Sequence, residues 1–238
     1  MIKRIIQTAG FAGVGAALVL TLFQATWVSP LILQAEIYEH AASTSHHALH
    51  ESDDHSHEND DWSPEDGWQR TSSTAAANLV IGVGFGLVLV GVMSLRPTRK
   101  LSSGVLWGLA GYTVFVLAPS AGLPPELPGT ESAALHDRQL WWAGTALATA
   151  IGLALIAFGP KPWLKVVAVV LLAVPHLLGS PQLADAHMLA PASLHHEFVT
   201  ATLLADASFW ITLGLLSALF FQRTAAVGRP TSSNQEYA

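Results

Sequence analysis

The chain has 238 residues, of which 51% are hydrophobic and only 12% are charged. A soluble domain carries roughly 25% charged residues, so this composition excludes an ordinary soluble globular protein. Cysteine is absent, which excludes disulfides and thiolate metal sites, and three methionines argue against a soft thioether site for Cu(I). The net charge of −6 says little by itself, because the two signs are segregated along the chain.

Long apolar stretches predict membrane-spanning helices. About 18 or more such residues cross a bilayer, and each segment must satisfy its own backbone polar groups. The six predicted segments are Ile5–Leu33, Thr71–Leu95, Leu101–Leu123, Leu140–Gly159, Val166–Leu183 and Phe198–Phe221. The first could instead be a signal peptide, but its apolar run exceeds an h-region of about 7–15 residues and no clear cleavage site follows closely. We therefore predict an all-α polytopic membrane bundle over residues 1–223, with a disordered tail over residues 224–238.

The basic residues set the predicted orientation. If the loops are numbered alternately, nine of the eleven Lys and Arg residues fall on the side of the N-terminus, and Arg70 and Arg138 fall on the other. Loops rich in Lys and Arg stay in the cytoplasm, so both chain ends are predicted to be cytoplasmic in a bacterial inner membrane. Within the helices, Gly82-x-x-x-Gly86 and Gly104-x-x-x-Gly108 match the small-residue pattern for close helix packing.

A loop from Glu36 to Arg70 separates the first two segments. Ten carboxylates and no Lys or Arg lie between Glu36 and Asp66. The same stretch holds six of the eleven histidines: His40, His46, His47, His50, His55 and His57. Neutral imidazole and carboxylate suit divalent first-row metals, so we predict a metal-collecting arm on the periplasmic side. The alternative is a solvated acidic linker that binds nothing specific.

Polar residues inside the segments suggest a path for a cation. An ionisable residue at membrane depth is costly and marks function by default, which draws attention to Asp206 and to His176. Gln24 lies in the outer half of the first segment. The alternative is structural: a hydrogen bond to another helix for Asp206, and interfacial packing for His176.

Two outer loops add candidate ligands. Glu126 is the one carboxylate of a rigid Gly122–Gly129 loop rich in proline, and Arg138 is expected to pair with a carboxylate there. His195 and His196 precede the sixth segment, and the sequence there does not match the zinc-protease motif. If Glu126, His176 and Asp206 converge, they would offer a site suited to Co²⁺ or its neighbours.

Several motifs together resemble the CbtA family of predicted cobalt transporter subunits of bacterial inner membranes. They run over nearly the whole chain and comprise Pro30-Leu-Ile-Leu-Gln-Ala-Glu36-x-Tyr38-Glu39, Asp66-Gly67-x-x-Arg70, Trp107-Gly108, Gly122-Leu-Pro-Pro-Glu-Leu-Pro-Gly129, Arg138-Gln139-x-Trp141-Trp142 and Pro175-His176-x-x-Gly179. The resemblance implies cobalt uptake for cobalamin synthesis and a small single-helix partner subunit, CbtB, that bears histidine. The family is usually drawn with five spanning helices, whereas this sequence predicts six.

These observations predict uptake of a divalent metal, with Co²⁺ as the cargo. We expect no tightly bound cofactor, no enzymatic activity, a lipid bilayer as surroundings and no nucleic-acid partner. The ligand types do not separate Co²⁺ from Ni²⁺ or Zn²⁺. A non-transporting membrane protein that buffers or senses periplasmic metal would share the arm but would not need polar residues aligned in the helices.

Overall fold

The structure, a computed structural model, describes residues 2–47, 64–96, 100–183 and 186–227, and it consists of helices joined by short loops. The α-helices, numbered in chain order, are α1 (Ile2–Phe23), α2 (Ser29–His47), α3 (Trp68–Leu95), α4 (Leu101–Tyr112), α5 (Ala118–Ser120), α6 (Leu135–Phe158), α7 (Pro162–Leu178) and α8 (Ala192–Val227). The described residues form no β-strand beyond one isolated bridge, between Thr130 and Met188. The prediction of an all-α membrane bundle is confirmed.

Two π-helical segments join α1 to α2 and α4 to α5 without a break. They span Gln24–Val28 and Thr113–Leu117, and each ends two residues before a proline, Pro30 or Pro119. A proline has no N–H to donate, and its ring clashes with the carbonyl four residues earlier. The wider π turn relieves that clash, so each helix continues through its proline with a bulge instead of a break.

Neighbouring helices run antiparallel, which gives the bundle two distinct ends. We call one the basic end, because it holds all the described Lys and Arg residues except two: Lys3, Arg4, Arg96, Lys100, Lys161, Lys165 and Arg223. We call the other the loop end; it holds Arg70 and Arg138 together with the loops of residues 121–134 and 179–191. The N-terminal and C-terminal helices both reach the basic end, in agreement with the predicted alternation.

Within the described ranges, five helical stretches are long and apolar enough to span a membrane: Ile2–Thr44, Trp68–Leu95, Leu101–Ser120, Leu135–Phe158 and Ala192–Arg223. The fifth predicted segment, Val166–Leu183, corresponds to α7, which has 17 residues and is therefore about 26 Å long, slightly less than a hydrocarbon core of about 30 Å. It begins earlier than predicted, at Pro162, and ends at Leu178 because Gly179 turns the chain with φ +83°.

Two helices extend past the positions at which the sequence predicts their ends. The stretch that begins at Glu36 was predicted to be a loop, but α2 continues through it to His47, since no glycine or proline interrupts the helix formers after Leu31. Likewise, the tail was predicted to start at residue 224, but α8 continues to Val227. Residues 48–63 of the arm and 228–238 of the tail lie outside the described residues.

Glycines produce the closest helix contacts, as the sequence predicts. A Cβ on Gly82 would lie 2.6 Å from the carbonyl oxygen of Gly13, so α1 and α3 touch backbone to backbone. A Cβ on Gly104 would lie 2.5 Å from the carbonyl oxygen of Gly214, which places α4 against α8 in the same way. Both contacts exclude larger residues and fix the α1–α3 and α4–α8 pairs.

The hairpin of α6 and α7 is built and attached differently. Gly152 of α6 packs against Ala168 and Leu172 of α7. Its attachment to the other helices includes a contact between Trp142 and Phe115, whose rings lie 6.3 Å apart. Phe115 belongs to an aromatic core in which it stacks on Trp210 of α8 at 5.5 Å.

Candidate functional site

The loop end carries a cap made of two loops that bind each other. The amide of Glu131 donates to the carbonyl of His187 at 3.1 Å, and the amide of His187 donates to Glu131 Oε2 at 3.2 Å. Leu127 and Ala190, one from each loop, are buried in the core of the bundle. The cap is therefore anchored to the helices, as expected for the proline-rich loop around Glu126.

Glu126 already has two partners in this cap. Its Oε2 accepts hydrogen bonds from Arg138 Nη2 at 2.7 Å and from Ser132 Oγ at 2.6 Å. The predicted pairing of Arg138 with a carboxylate is confirmed. A cation that binds Glu126 would have to compete with the guanidinium of Arg138, so Glu126 is partly neutralised as it stands.

His176 lies at the loop end of α7, one residue after Pro175. Its side chain is exposed, and its ring meets the ring of Trp141 edge-on at 6.0 Å. The indole Nε1 of Trp141 donates to the carbonyl of Pro175 at 3.3 Å, which satisfies one of the free carbonyls at the end of α7. The imidazole is held in position and remains open to solvent or to an ion.

His195 and His196 lie in the first turns of α8, with ring centroids 6.2 Å apart. His196 is exposed, whereas His195 is half-buried and its Nδ1 is buried without a hydrogen-bond partner. A neutral imidazole with one unpaired nitrogen keeps that lone pair or proton available to a ligand. Of the predicted histidines with a described side chain, His195 has the clearest unmet bonding capacity.

Asp206 lies deeper than its predicted position. Because α8 begins at Ala192 rather than at Phe198, Asp206 lies fourteen residues from the helix start, or about 21 Å along its axis. Tyr112 of α4 approaches the same region, since its hydroxyl donates to the carbonyl of Leu203, three residues before Asp206, at 3.1 Å. Asp206 thus belongs to the α4–α8 contact near mid-helix.

The histidines of the arm are only partly described. His40 is exposed on α2, and its carbonyl accepts hydrogen bonds from Ser43 and Thr44. His46 and His47 lie in the last turn of α2. His50, His55 and His57 lie outside the described residues.

The described part of the chain does not assemble a metal site on its own. No three of its His, Asp or Glu side chains lie close enough together to hold one metal ion. Glu126, His176 and Asp206 are therefore not brought together as a three-ligand site, and the role of each as an ion ligand stays a prediction.

Sequence reasoning missed an ion-pair cluster where α2 meets α3. Arg70 binds Glu36 with both terminal nitrogens, at 2.5 and 3.1 Å, and Asp66 at 2.9 Å. A cavity of about 140 Å³ lies beside it, lined by Thr21, Ser29, Arg70, Thr71 and Thr74 among others. Arg70 thus lines the cavity, and its guanidinium binds both carboxylates of the cluster.

A second missed feature lies below that cavity. Asn78 of α3 is 4% exposed, and its Nδ2 donates to Thr21 Oγ1 at 3.0 Å and to Gln24 Oε1 at 2.6 Å. Gln24 begins the first π-helical segment, a feature often found at functional sites. The amides of Gln24 and Asn78 were each visible in the sequence, but only the α1–α3 contact brings them together.

Comparison with family models settles the family. The model of CbtA, described as a probable cobalt transporter subunit, matches residues 2–222. The chain belongs to the CbtA family. This places it as a multi-pass membrane protein and one subunit of a transporter, and indicates a transport role rather than a catalytic one. Comparison with curated proteins and with solved structures found no match.

Proposed function

We propose that this CbtA protein takes up Co²⁺ across a bacterial inner membrane, from the periplasm at the loop end to the cytoplasm at the basic end. The match to a probable cobalt transporter subunit over residues 2–222 carries the proposal. The distribution of charged and metal-binding side chains supports both the direction and the type of cargo.

Eight of the nine Asp and Glu residues that the structure describes lie at the loop end, and Asp206 is the exception. All eight described histidines lie there too. The side chains that attract and bind a dication therefore cluster at one end, and the Lys and Arg residues that orient the chain cluster at the other. An inward-negative potential favours entry of a dication by about 4.6 kcal/mol per 100 mV, twice the value for a single charge.

The arm delivers ions to the cavity beside Arg70. In the sequence, the arm lies between Glu36 of α2 and Asp66, which comes two residues before α3, and Arg70 binds both of these carboxylates. An arriving Co²⁺ displaces the guanidinium of Arg70 from Glu36 and Asp66. The polar groups of Thr21, Gln24 and Asn78 lie below as the next oxygen ligands.

His176, His195, His196 and Glu126 form a second group of donors around the cap, and Asp206 is the deep carboxylate. We propose that they bind the ion in succession rather than as one rigid site, which fits their separate positions. A single-helix partner resembling CbtB completes the transporter, since the family is described as a subunit.

Uptake of radioactive Co²⁺ by whole cells, with and without this gene and its partner, tests the function. After a wash with a membrane-impermeant chelator, cells with the gene should retain Co²⁺ inside, and excess Ni²⁺ and Zn²⁺ should compete less well than unlabelled Co²⁺. If the chelator removes all the bound metal, the protein is a periplasmic buffer or sensor. If Ni²⁺ or Zn²⁺ competes better, the cargo is that ion.

Two substitutions test the path residues. Asp206→Asn and His176→Ala should each reduce uptake severely at matched membrane abundance, because each removes a side chain that is proposed to bind the ion. Wild-type rates in both variants would mean that these residues are structural.

Deletion of residues 40–57 tests the arm. The metal concentration for half-maximal uptake should rise while the maximal rate stays nearly unchanged, because the arm concentrates ions and does not shape the path. Loss of uptake at saturating metal, in a stably inserted protein, would instead make the arm the binding site itself.

A further inference from the structure

A large apolar groove lies between α3, α4 and α6. It encloses about 940 Å³, and its walls include Val88, Val92, Leu106, Ala110, Leu153 and Ala154. Aromatic contacts bridge α4 and α6 at both ends of the groove. Trp107 meets Phe158 at 6.1 Å towards the basic end, and Phe115, just beyond α4, meets Trp142 at 6.3 Å towards the loop end.

Positive charge is confined to one mouth of the groove. Arg96 and Lys100 line it at the basic end together with Ser103. Both basic side chains are exposed, and neither has an ion-pair partner among the residues that the structure describes. The guanidinium of Arg96 lies 4.7 Å from the centre of the Phe158 ring, which holds it over the groove. The groove therefore has a cationic head and an apolar body.

Its length matches one leaflet of a bilayer. Along α3 the lining runs from Arg96 to Phe85, eleven residues or about 16 Å. Half of a hydrocarbon core of about 30 Å is about 15 Å. An amphiphile whose head lies at Arg96 would thus reach the middle of the membrane.

We propose that this groove binds one anionic phospholipid of the cytoplasmic leaflet, with its phosphate between Arg96 and Lys100 and its acyl chains between α4 and α6. Basic pockets between membrane helices on the cytoplasmic side bind such head groups. A transmembrane helix is a poorer fit, because it needs about 30 Å to cross both leaflets, whereas the lining of the groove along α3 extends over only about 16 Å. Inorganic phosphate would leave the apolar walls empty.

Native mass spectrometry of the full-length protein, released from detergent after incubation with lipid, tests the proposal. The probes are phosphatidylglycerol and phosphatidylcholine with identical acyl chains. The wild type should retain one phosphatidylglycerol at least tenfold better than phosphatidylcholine. The double variant Arg96→Ala, Lys100→Ala should lose at least tenfold of the phosphatidylglycerol affinity. The matched control Lys161→Ala, Lys165→Ala removes the same charge from the same end of the bundle but changes no residue of the groove. This variant should keep the wild-type affinity for phosphatidylglycerol.

A second variant tests the apolar body. Ala154→Phe keeps both basic residues but fills the groove, so it should lower retention of both lipids while the protein still elutes as one species with unchanged helical content. Equal retention of the two lipids by the wild type, or equal losses in the Lys161, Lys165 control, would overturn the proposal. A photo-reactive group at position 154 that cross-links to a partner helix instead of a lipid would also overturn it.

Discussion

The α1–α3 pair and the α6–α7 hairpin have similar apolar sequences but are held in place in different ways. Where α1 meets α3, backbone touches backbone at Gly13 and Gly82, and Asn78 is hydrogen-bonded to Gln24 within the contact. The hairpin is fixed near the loop end by the cap, and aromatic rings join α6 to α4 at both ends of the groove that lies between these two helices. Close packing by small residues fixes two helices to each other, whereas a few separated contacts leave room between them for something else to bind.

The largest effect should come from filling the α1–α3 contact. Gly82→Leu should destabilise the protein by about 3 kcal/mol or more, because the added side chain meets the backbone of Gly13, which cannot move aside. The measurement is the apparent melting temperature in detergent together with the yield of monodisperse protein.

Gly84→Leu is the matched control on the same helix. A Cβ there meets nothing within 4 Å, so this variant should differ from the wild type by no more than about 1 kcal/mol. Equal losses from the two substitutions would show that leucine at either position disturbs α3 itself, and that the contact with α1 is not the cause.

The polar part of the same contact should give the next largest effect. Asn78→Leu should cost about 1–3 kcal/mol, because it leaves the half-buried amide oxygen of Gln24 without its hydrogen-bond donor. The double variant Gln24→Leu, Asn78→Leu should recover part of that loss, since both unsatisfied amides are gone. Thermal melting measures the stability, and Co²⁺ uptake by the double variant shows whether the amides also serve the ion.

Recovery of stability without recovery of uptake would place Gln24 and Asn78 on the ion path. Full recovery of both stability and uptake would mean that Gln24 and Asn78 are purely structural. The polar contact between α1 and α3 would then have no role in transport. A double variant less stable than Asn78→Leu would contradict the hydrogen bond as the source of the loss.

The ion pair in the cap should have a smaller effect, and on the other half of the molecule. Arg138→Met should cost about 1 kcal/mol, because Glu126 loses a charged partner in a half-buried site but keeps Ser132. Hydrogen exchange of the α7 backbone should rise, since the pair lies where the hairpin is attached, while exchange in α1 should not change.

The double variant Glu126→Arg, Arg138→Glu keeps both charges but exchanges their positions, so it controls for the change of charge. It should restore part of the protection of the α7 backbone from hydrogen exchange. An increase in exchange that spreads equally over α1 and α3 would show that the cap stabilises the whole bundle rather than the hairpin.

Sequence reasoning succeeded where a local pattern decides the structure. Apolar length predicted the spanning helices, Gly-x-x-x-Gly predicted the close contacts of Gly82 and Gly104, and a lone carboxylate near Arg138 predicted their ion pair. It failed where polarity was expected to end a helix: α2 passes through Glu36, whose carboxylate is paired with Arg70 of α3.

Features that depend on two distant segments could not be predicted at all. Asn78 and Gln24 are 54 residues apart, and each looks like an isolated polar residue until α1 packs on α3. The groove likewise depends on the space between α6 and α4, and the sequence of neither helix alone predicts that space. Convergence of candidate ion ligands is the same kind of property, and for that reason Asp206 and His176 remain predictions.

The smallest effect should come from the hydrogen bond between Trp141 and α7. Trp141→Phe removes the donor to the Pro175 carbonyl, a long bond of 3.3 Å, but keeps a ring against His176 and against Gly122. The expected loss is about 0.5–1 kcal/mol, because the freed carbonyl at a helix end can bind water instead.

The comparison variant Trp141→Ala should cost about 3 kcal/mol or more, since it also removes the ring that packs on the cap. Melting curves of the two variants separate the hydrogen bond from the packing. Equal losses would mean that the bond to Pro175, rather than ring packing, attaches α7, and the hairpin would then be held by polar contacts like those of the α1–α3 pair.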